Sequence, residues 1–146
     1  MSSVIFLNVL ILFFSYVFNF VWESWHGVFL YENHNIPAEE YVFMMNFVSM
    51  MDALVILGIY AGMSFFVKDF LWPKNLNKVN STNFFIAGLL VSAIIEYVLV
   101  FKIKLWTYNK YMPTVFGIGL SPLIQLSTTG ILSIIVSQRI FFRRRN

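Results

Sequence analysis

An all-α integral membrane protein, with four transmembrane helices in one bundle, is predicted by three features of this 146-residue chain. It is 59% hydrophobic and only 12% charged, with a mean hydropathy of +0.74. Soluble domains carry about 25% charged residues, so too little polar surface is available here to face water. Its 17 Phe, 7 Tyr and 4 Trp suit a small protein whose outside faces lipid. Finally, four apolar stretches each reach the roughly 20 residues that span a bilayer core as helix.

The first span is predicted over residues 4–22. It has no basic n-region and no small-residue cleavage site, and it runs on into Glu23 and His26, so it reads as retained. The second covers 41–67, long enough to tilt. Between it and the third (84–101), "VKDFLWPKNLNKVNSTN" carries Pro, Asn and Lys, which is linker chemistry, with Ser81 or Thr82 as the expected cap. The fourth covers 115–136. Ahead of it, "MPTVFGIGLSP" is a poor regular helix, which points to an interrupted entry covered by protein. The whole chain, 1–146, reads as one domain.

Charge sets the orientation. Lys68, Lys74, Lys78, Arg139, Arg143, Arg144 and Arg145 share the side of both termini, against Lys102, Lys104 and Lys110 opposite. Seven against three predicts both termini in the cytoplasm of a multi-pass protein of the cytoplasmic (inner) membrane. The acidic stretch Glu23, Glu32, Glu39, Glu40 is then extracytoplasmic. The lack of cysteine excludes disulfides and thiolate chemistry. With basic residues only in short clusters beside apolar runs, nucleic acid is not an expected partner. Membrane lipids are, with a homo-oligomer or a membrane partner protein as further candidates.

Each span carries a polar stripe: Asn8, Ser15, Asn19, Glu23 and His26 on the first, Asn46, Ser49 and Asp52 on the second, Gly88, Ser92 and Glu96 on the third, and Ser121, Gln125 and Thr128 on the fourth. At about 100° per residue each set shares one helix face, so the stripes should meet. Small and polar residues are ordinary helix-contact chemistry in membranes. An intramembrane Asp costs about 2.5–3.5 kcal/mol on insertion scales and needs a partner or a purpose. At 1.5 Å per residue Asp52 should lie roughly 17 Å inside its span, Glu96 about 8 Å from the outer end and Gln125 about 15 Å down. The expected result is a polar pocket open to the outside, with Asp52 at its floor and Glu23 and His26 at its rim. Glu23, His26, Asp52 and Glu96 are the candidate acids and bases. Asn19, Trp22, Trp106, Tyr108 and Gln125 are the candidate substrate-binding residues. The spacing of Glu23, His26, Glu32 and His34 fits no tight ligand motif, so no metal and no cofactor is expected. These residues suit a small enzyme or binding protein for an apolar or lipid-like molecule. A non-catalytic subunit of a membrane complex, or a small transporter acting as an oligomer, fits the same composition.

Two resemblances add to this. "NFVWESWHGVFLY", "MMDALVILGIY" and "WTYNKYMPTVFGIGLSPLIQ" resemble a group of short bacterial four-span membrane proteins of no established activity. In that group Asn-x-x-Trp-Glu ends the first span and Met-Pro…Gly-x-Gly-x-x-Pro-x-x-Gln leads into the last. Locally, "IPAEEYVF" is similar to the Pro-x-Glu-Glu-x-x-Phe motif of membrane lycopene cyclase domains, at Pro37, Glu39, Glu40 and Phe43. That similarity implies isoprenoid cyclisation by paired carboxylates, with Gln125 standing where the family has a Glu. The residues alone equally read Glu39 and Glu40 as a solvated charge pair at a helix N-terminus.

Overall fold

The computed structural model describes residues 3–32 and 36–143; His34, Arg144 and Arg145 lie outside them. Four helices long and apolar enough to cross a membrane form the bundle: α1 (Ser3–Leu30), α2 (Ala38–Val67), α3 (Lys78–Glu96) and α4 (Leu120–Arg143). α3 continues as a wider π-helical turn, Tyr97–Ile103, and a short 3₁₀ helix, Trp72–Asn75, lies between α2 and α3. α1 packs against α2 and α4, and α3 packs against α4.

α4 is the least apolar span, with a mean hydropathy of 1.5 against 2.0–2.4 for the others, yet it is the most enclosed: 50% of its span is buried against 22%. Lipid covers apolar side chains at no cost, so the polar helix belongs inside and the apolar ones outside. Phe13, Phe43, Phe47, Phe65 and Phe66 accordingly face outward. At the end of the bundle that holds the termini, the interior is apolar: Leu7, Ile11, Ile56, Tyr60, Trp72, Phe84, Ile134 and Phe141 pack there.

The helix ends are set locally. α2 begins at Pro37, with Glu39 and Glu40 in its first turn, both exposed. Carboxylates there complement the positive end of the helix dipole. It stops at Lys68, which turns left-handed (φ 57°), and the next amide, Asp69 N–H, donates to the Ser64 carbonyl at 3.1 Å. α3 starts at Lys78, earlier than the expected span, so its cap is Asn77, whose side chain accepts from Asn80 N–H at 2.8 Å; Ser81 and Thr82 lie inside the helix. The segment before α4 is a small antiparallel hairpin, β1 (Thr114–Val115) and β2 (Ile118–Gly119), turned by Phe116 (φ 52°) and Gly117 (φ 80°). The fourth helix therefore begins at Leu120, not at 115, and Pro122 sits in its first turn, where no amide donor is needed.

Two glycines bring α3 and α4 together. Ser127 lies directly over Gly88, and its hydroxyl donates to the Phe85 carbonyl at 2.8 Å. The Phe84 ring lies on Gly130 in the same way. Gly58 and Gly62 differ: on the outer side of α2, nothing lies within 4 Å of where their Cβ atoms would be.

Candidate functional site

The α1–α4 seam builds the site layer by layer. The two helices run antiparallel, so each step of four residues along α1 is matched by a step of four back along α4. Gln125 Nε2 donates to Glu23 Oε1 at 2.6 Å and lies 3.0 Å from Asn19 Oδ1. One turn further, Thr129 Oγ1 donates to Asn19 Oδ1 at 3.1 Å. This register places Ser15 level with Ser133 and Ile11 level with Ser137, all fully buried, and Leu7 level with Phe141. Phe6 confirms the pairing by meeting Phe141 at 5.9 Å between ring centroids. Polarity therefore falls along the seam: acid with amide, amide with hydroxyl, then levels that carry only serines and Ile11, and then apolar closure.

α2 adds the second acid. Gln125 Nε2 also donates to Asp52 Oδ2 at 2.8 Å, so one amide nitrogen faces carboxyls from two neighbouring helices. One amide thus ties α1, α2 and α4. Ser–backbone bonds absorb two of the hydroxyls nearby: Ser49 Oγ donates to Met45 O at 2.6 Å and Ser133 Oγ to Thr129 O at 2.6 Å. Tyr41 OH holds the far side by donating to Ser24 O at 2.8 Å.

The third acid comes from α3. Glu96, 5% exposed, is the last residue before the π-helical turn, and its Oε2 accepts from the Tyr108 hydroxyl. Tyr108 belongs to a loop strapped to the end of α1 through backbone bonds Glu32 N–H to Thr107 O (2.9 Å) and Asn109 N–H to Leu30 O (3.0 Å). Above the acids the strap forms an aromatic cap. His26 stacks on Tyr31 at 4.8 Å, Trp106 meets Tyr31 edge-on at 6.0 Å, and Tyr108 lies 5.5 Å from Tyr31. Burial raises the Tyr31 phenol above its usual range, helped by the Glu96 and Glu23 carboxyls. Burial also raises Tyr108, with its bond to Glu96 adding to the effect.

The structure therefore brings Asn19, Glu23, Asp52 and Gln125 into direct contact, with Glu96 and Tyr108 beside them. Three expectations need correction. α1 continues unbroken to Leu30, so Glu23 and His26 are inside the helix and not at a rim, with His26 1% exposed beneath Tyr31. Gln125 is five residues into α4, about 8 Å down by helical rise, because the helix starts at Leu120. Thr128 is only half-buried, and Thr129 takes its place in the network. The Trp22 indole donates to Ser121 Oγ at 3.2 Å. Tyr31 and Thr129 were missed. Thr129 had a readable signal, since Ser121, Gln125, Thr129, Ser133 and Ser137 repeat every four residues. Tyr31 had none, because its place depends on a loop 77 residues later.

A shallow apolar depression with no room for a water molecule, lined by Trp72, Leu76, Phe84, Ile131 and Ile134 among others, lies toward the termini and away from the acids. Among the described residues no group of three His, Asp or Glu side chains could hold a metal ion. The fold and site define a class: a multi-pass helical membrane protein with an acid–amide cluster inside the bundle. No family model, curated protein or solved structure matches the chain.

Proposed function

We propose that this protein is a small membrane enzyme using acid–base chemistry on an apolar, lipid-like molecule, of which isoprenoids are one class. One observation carries the reading: Gln125 gathers two carboxyls from neighbouring helices, Glu23 and Asp52, within the membrane-spanning bundle. Every Lys and Arg of the chain lies at positions 68–78, 102–110 or 139–145, so none sits on the helical stretches that carry these acids. Acids placed in lipid surroundings without a basic partner carry an insertion cost that pure scaffolding does not need. Glu96 with Tyr108, and His26 under Tyr31, supply further proton-handling groups beside them. Both termini are assigned to the cytoplasm of the inner membrane, on the seven-to-three charge asymmetry, so the acid cluster lies toward the outer leaflet.

The test compares lipid extracts by mass spectrometry from cells lacking the protein, cells with it, and cells with Glu23→Gln or Asp52→Asn at matched abundance. A lipid-like species should change with the wild type and revert with either variant. Identical extracts with and without the protein overturn the enzyme reading.

A second reading, a non-catalytic subunit or a small oligomeric transporter, draws on a different observation. The acids and the amide bond to one another, as side chains that lock helices together do. Under that reading the amide variants keep function.

A further inference from the structure

We infer that residues 97–119 form a lipid-binding surface, in which the Phe116 tip enters the leaflet on the acid-cluster side while Lys102, Lys104 and Lys110 hold its anionic phospholipid headgroups. This surface is independent of the enzyme reading above.

Depth places the segment. α3 and its π-helical turn together run from Lys78 to Ile103. Counted from the charged Lys78, the roughly 20 residues that cross a bilayer core bring the chain to Tyr97, where the π-helical turn begins. Residues 97–119 therefore lie at the headgroup boundary, and they are built as one piece. A Cβ on Gly117 would stand 3.1 Å from the Phe101 ring, so the hairpin turn sits directly on the π-helical turn. A Cβ on Gly119 would stand 3.0 Å from the Tyr108 ring, which ties the hairpin to the strap as well. Leu120 N–H closes the hairpin by donating to the Pro113 carbonyl at 2.8 Å.

The tip carries a large apolar side chain that the fold does not use. Phe116 is 100% exposed, yet its backbone is held at φ 52°, a region that residues other than Gly, Asn and Asp seldom enter. Gly or Asn would make this turn with less strain, so the ring is there to meet something outside the chain. Tyr97, Phe101, Ile103, Leu105 and Tyr111 of the same piece are exposed too. A bilayer interface covers such a surface, because aromatic rings are favoured at headgroup level.

Charge names the lipid. Lys102, Lys104 and Lys110 are all exposed, and neither Asp nor Glu occurs from residue 97 to the end of the chain. The acids of this end, Glu32, Glu39 and Glu40, flank the α1–α2 connection. Glu32 reaches the piece through its backbone bond to Thr107, where three cations stand against it. Lys102 Nζ lies 5.6 Å from the Tyr97 ring centre and Lys110 Nζ 5.0 Å from that of Tyr111. Each ammonium thus sits beside a ring that belongs at the interface, and a phosphate-bearing headgroup takes both together.

The lack of cysteine allows a direct test on the full-length protein in vesicles of phosphatidylcholine and phosphatidylglycerol. A nitroxide on Phe116→Cys should collide more with lipid-soluble oxygen than with a water-soluble nickel chelate. On Glu39→Cys the order should reverse. A label at 116 that meets the nickel chelate as often as the one at 39 overturns the inference and leaves the tip to a soluble partner. Spin-labelled phospholipids then read the headgroups. Joint Lys102→Gln, Lys104→Gln and Lys110→Gln should lower the preference for phosphatidylglycerol over phosphatidylcholine by about twofold or more. An unchanged preference overturns the headgroup assignment. All the substituted side chains are exposed, so the fold does not depend on them.

Discussion

Gly88 and Ser127 hold α3 against α4 with no side chain between them: a Cβ on Gly88 would lie 2.6 Å from the Ser127 hydroxyl oxygen and 2.9 Å from its Cα. The second distance involves backbone, which cannot swing aside. Gly88→Ala should therefore destabilise the bundle by about 1–3 kcal/mol, the usual cost of overpacking. Gly58→Ala should not, because its Cβ meets nothing within 4 Å. Thermal unfolding in detergent checks both; equal midpoints for the two variants would contradict the close contact.

Replacing Gln125 by Leu strips Glu23 and Asp52 of their common donor. Leaving buried polar partners unsatisfied costs about 1–3 kcal/mol each. A fall in the unfolding midpoint is expected for Gln125→Leu, and a smaller one for Ser121→Ala, which loses only the Trp22 bond. Calorimetry in detergent measures the difference.

Raised phenols make the cap sensitive to alkali. The Tyr108 value is raised by burial and then by Glu96, so the folded state favours the neutral phenol. Its contribution to stability is complete below the unfolded value of about 10 and falls as pH rises above it. Tyr108→Phe removes that titration and should flatten the loss of stability with pH in this range. Unfolding midpoints measured on either side of the ordinary phenol value decide it.

The chain's lack of cysteine makes the orientation directly testable. Single cysteines at Glu32 or Lys110, both exposed, should react with an impermeant thiol reagent in intact cells. One at Lys74, exposed at the opposite end, should react only after lysis. The reverse pattern would put the acid cluster on the cytoplasmic side.

Glu39→Gln with Glu40→Gln is expected to leave the fold intact, at a cost of about 0.3–1 kcal/mol for each charge removed from the helix N-terminus. Both side chains are exposed. A loss comparable to that of Gln125→Leu would show that they have buried partners.

Much of this was legible in the sequence wherever one helix decides the matter. The four spans follow from apolar length, and Asn19, Glu23, Asp52, Glu96 and Gln125 follow from stripes on single helices. What escaped depends on two segments at once. The choice between Thr128 and Thr129 turns on the exact rotation of α4, which the start at Leu120 and the contacts at Ser127 and Gly130 set together. Tyr31 becomes part of the cap only because Thr107 and Asn109 bond beside it. The π-helical turn after Glu96 leaves no clear mark in "YVLVFKI", since no Gly or Pro signals it.

The long seam between α1 and α4 also has a consequence in time. Glu23 and Asn19 are made early, and their partners Gln125 and Thr129 arrive 102 and 110 residues later. At about 5–20 residues per second, the first helix waits on the order of 5–20 s with its polar face unmatched. During that interval the nascent chain must be sheltered at the insertion machinery or neutralised by protonation. A chain cut short before α4 keeps three spans long enough for the bilayer, but its acids stay without the amide that gathers them.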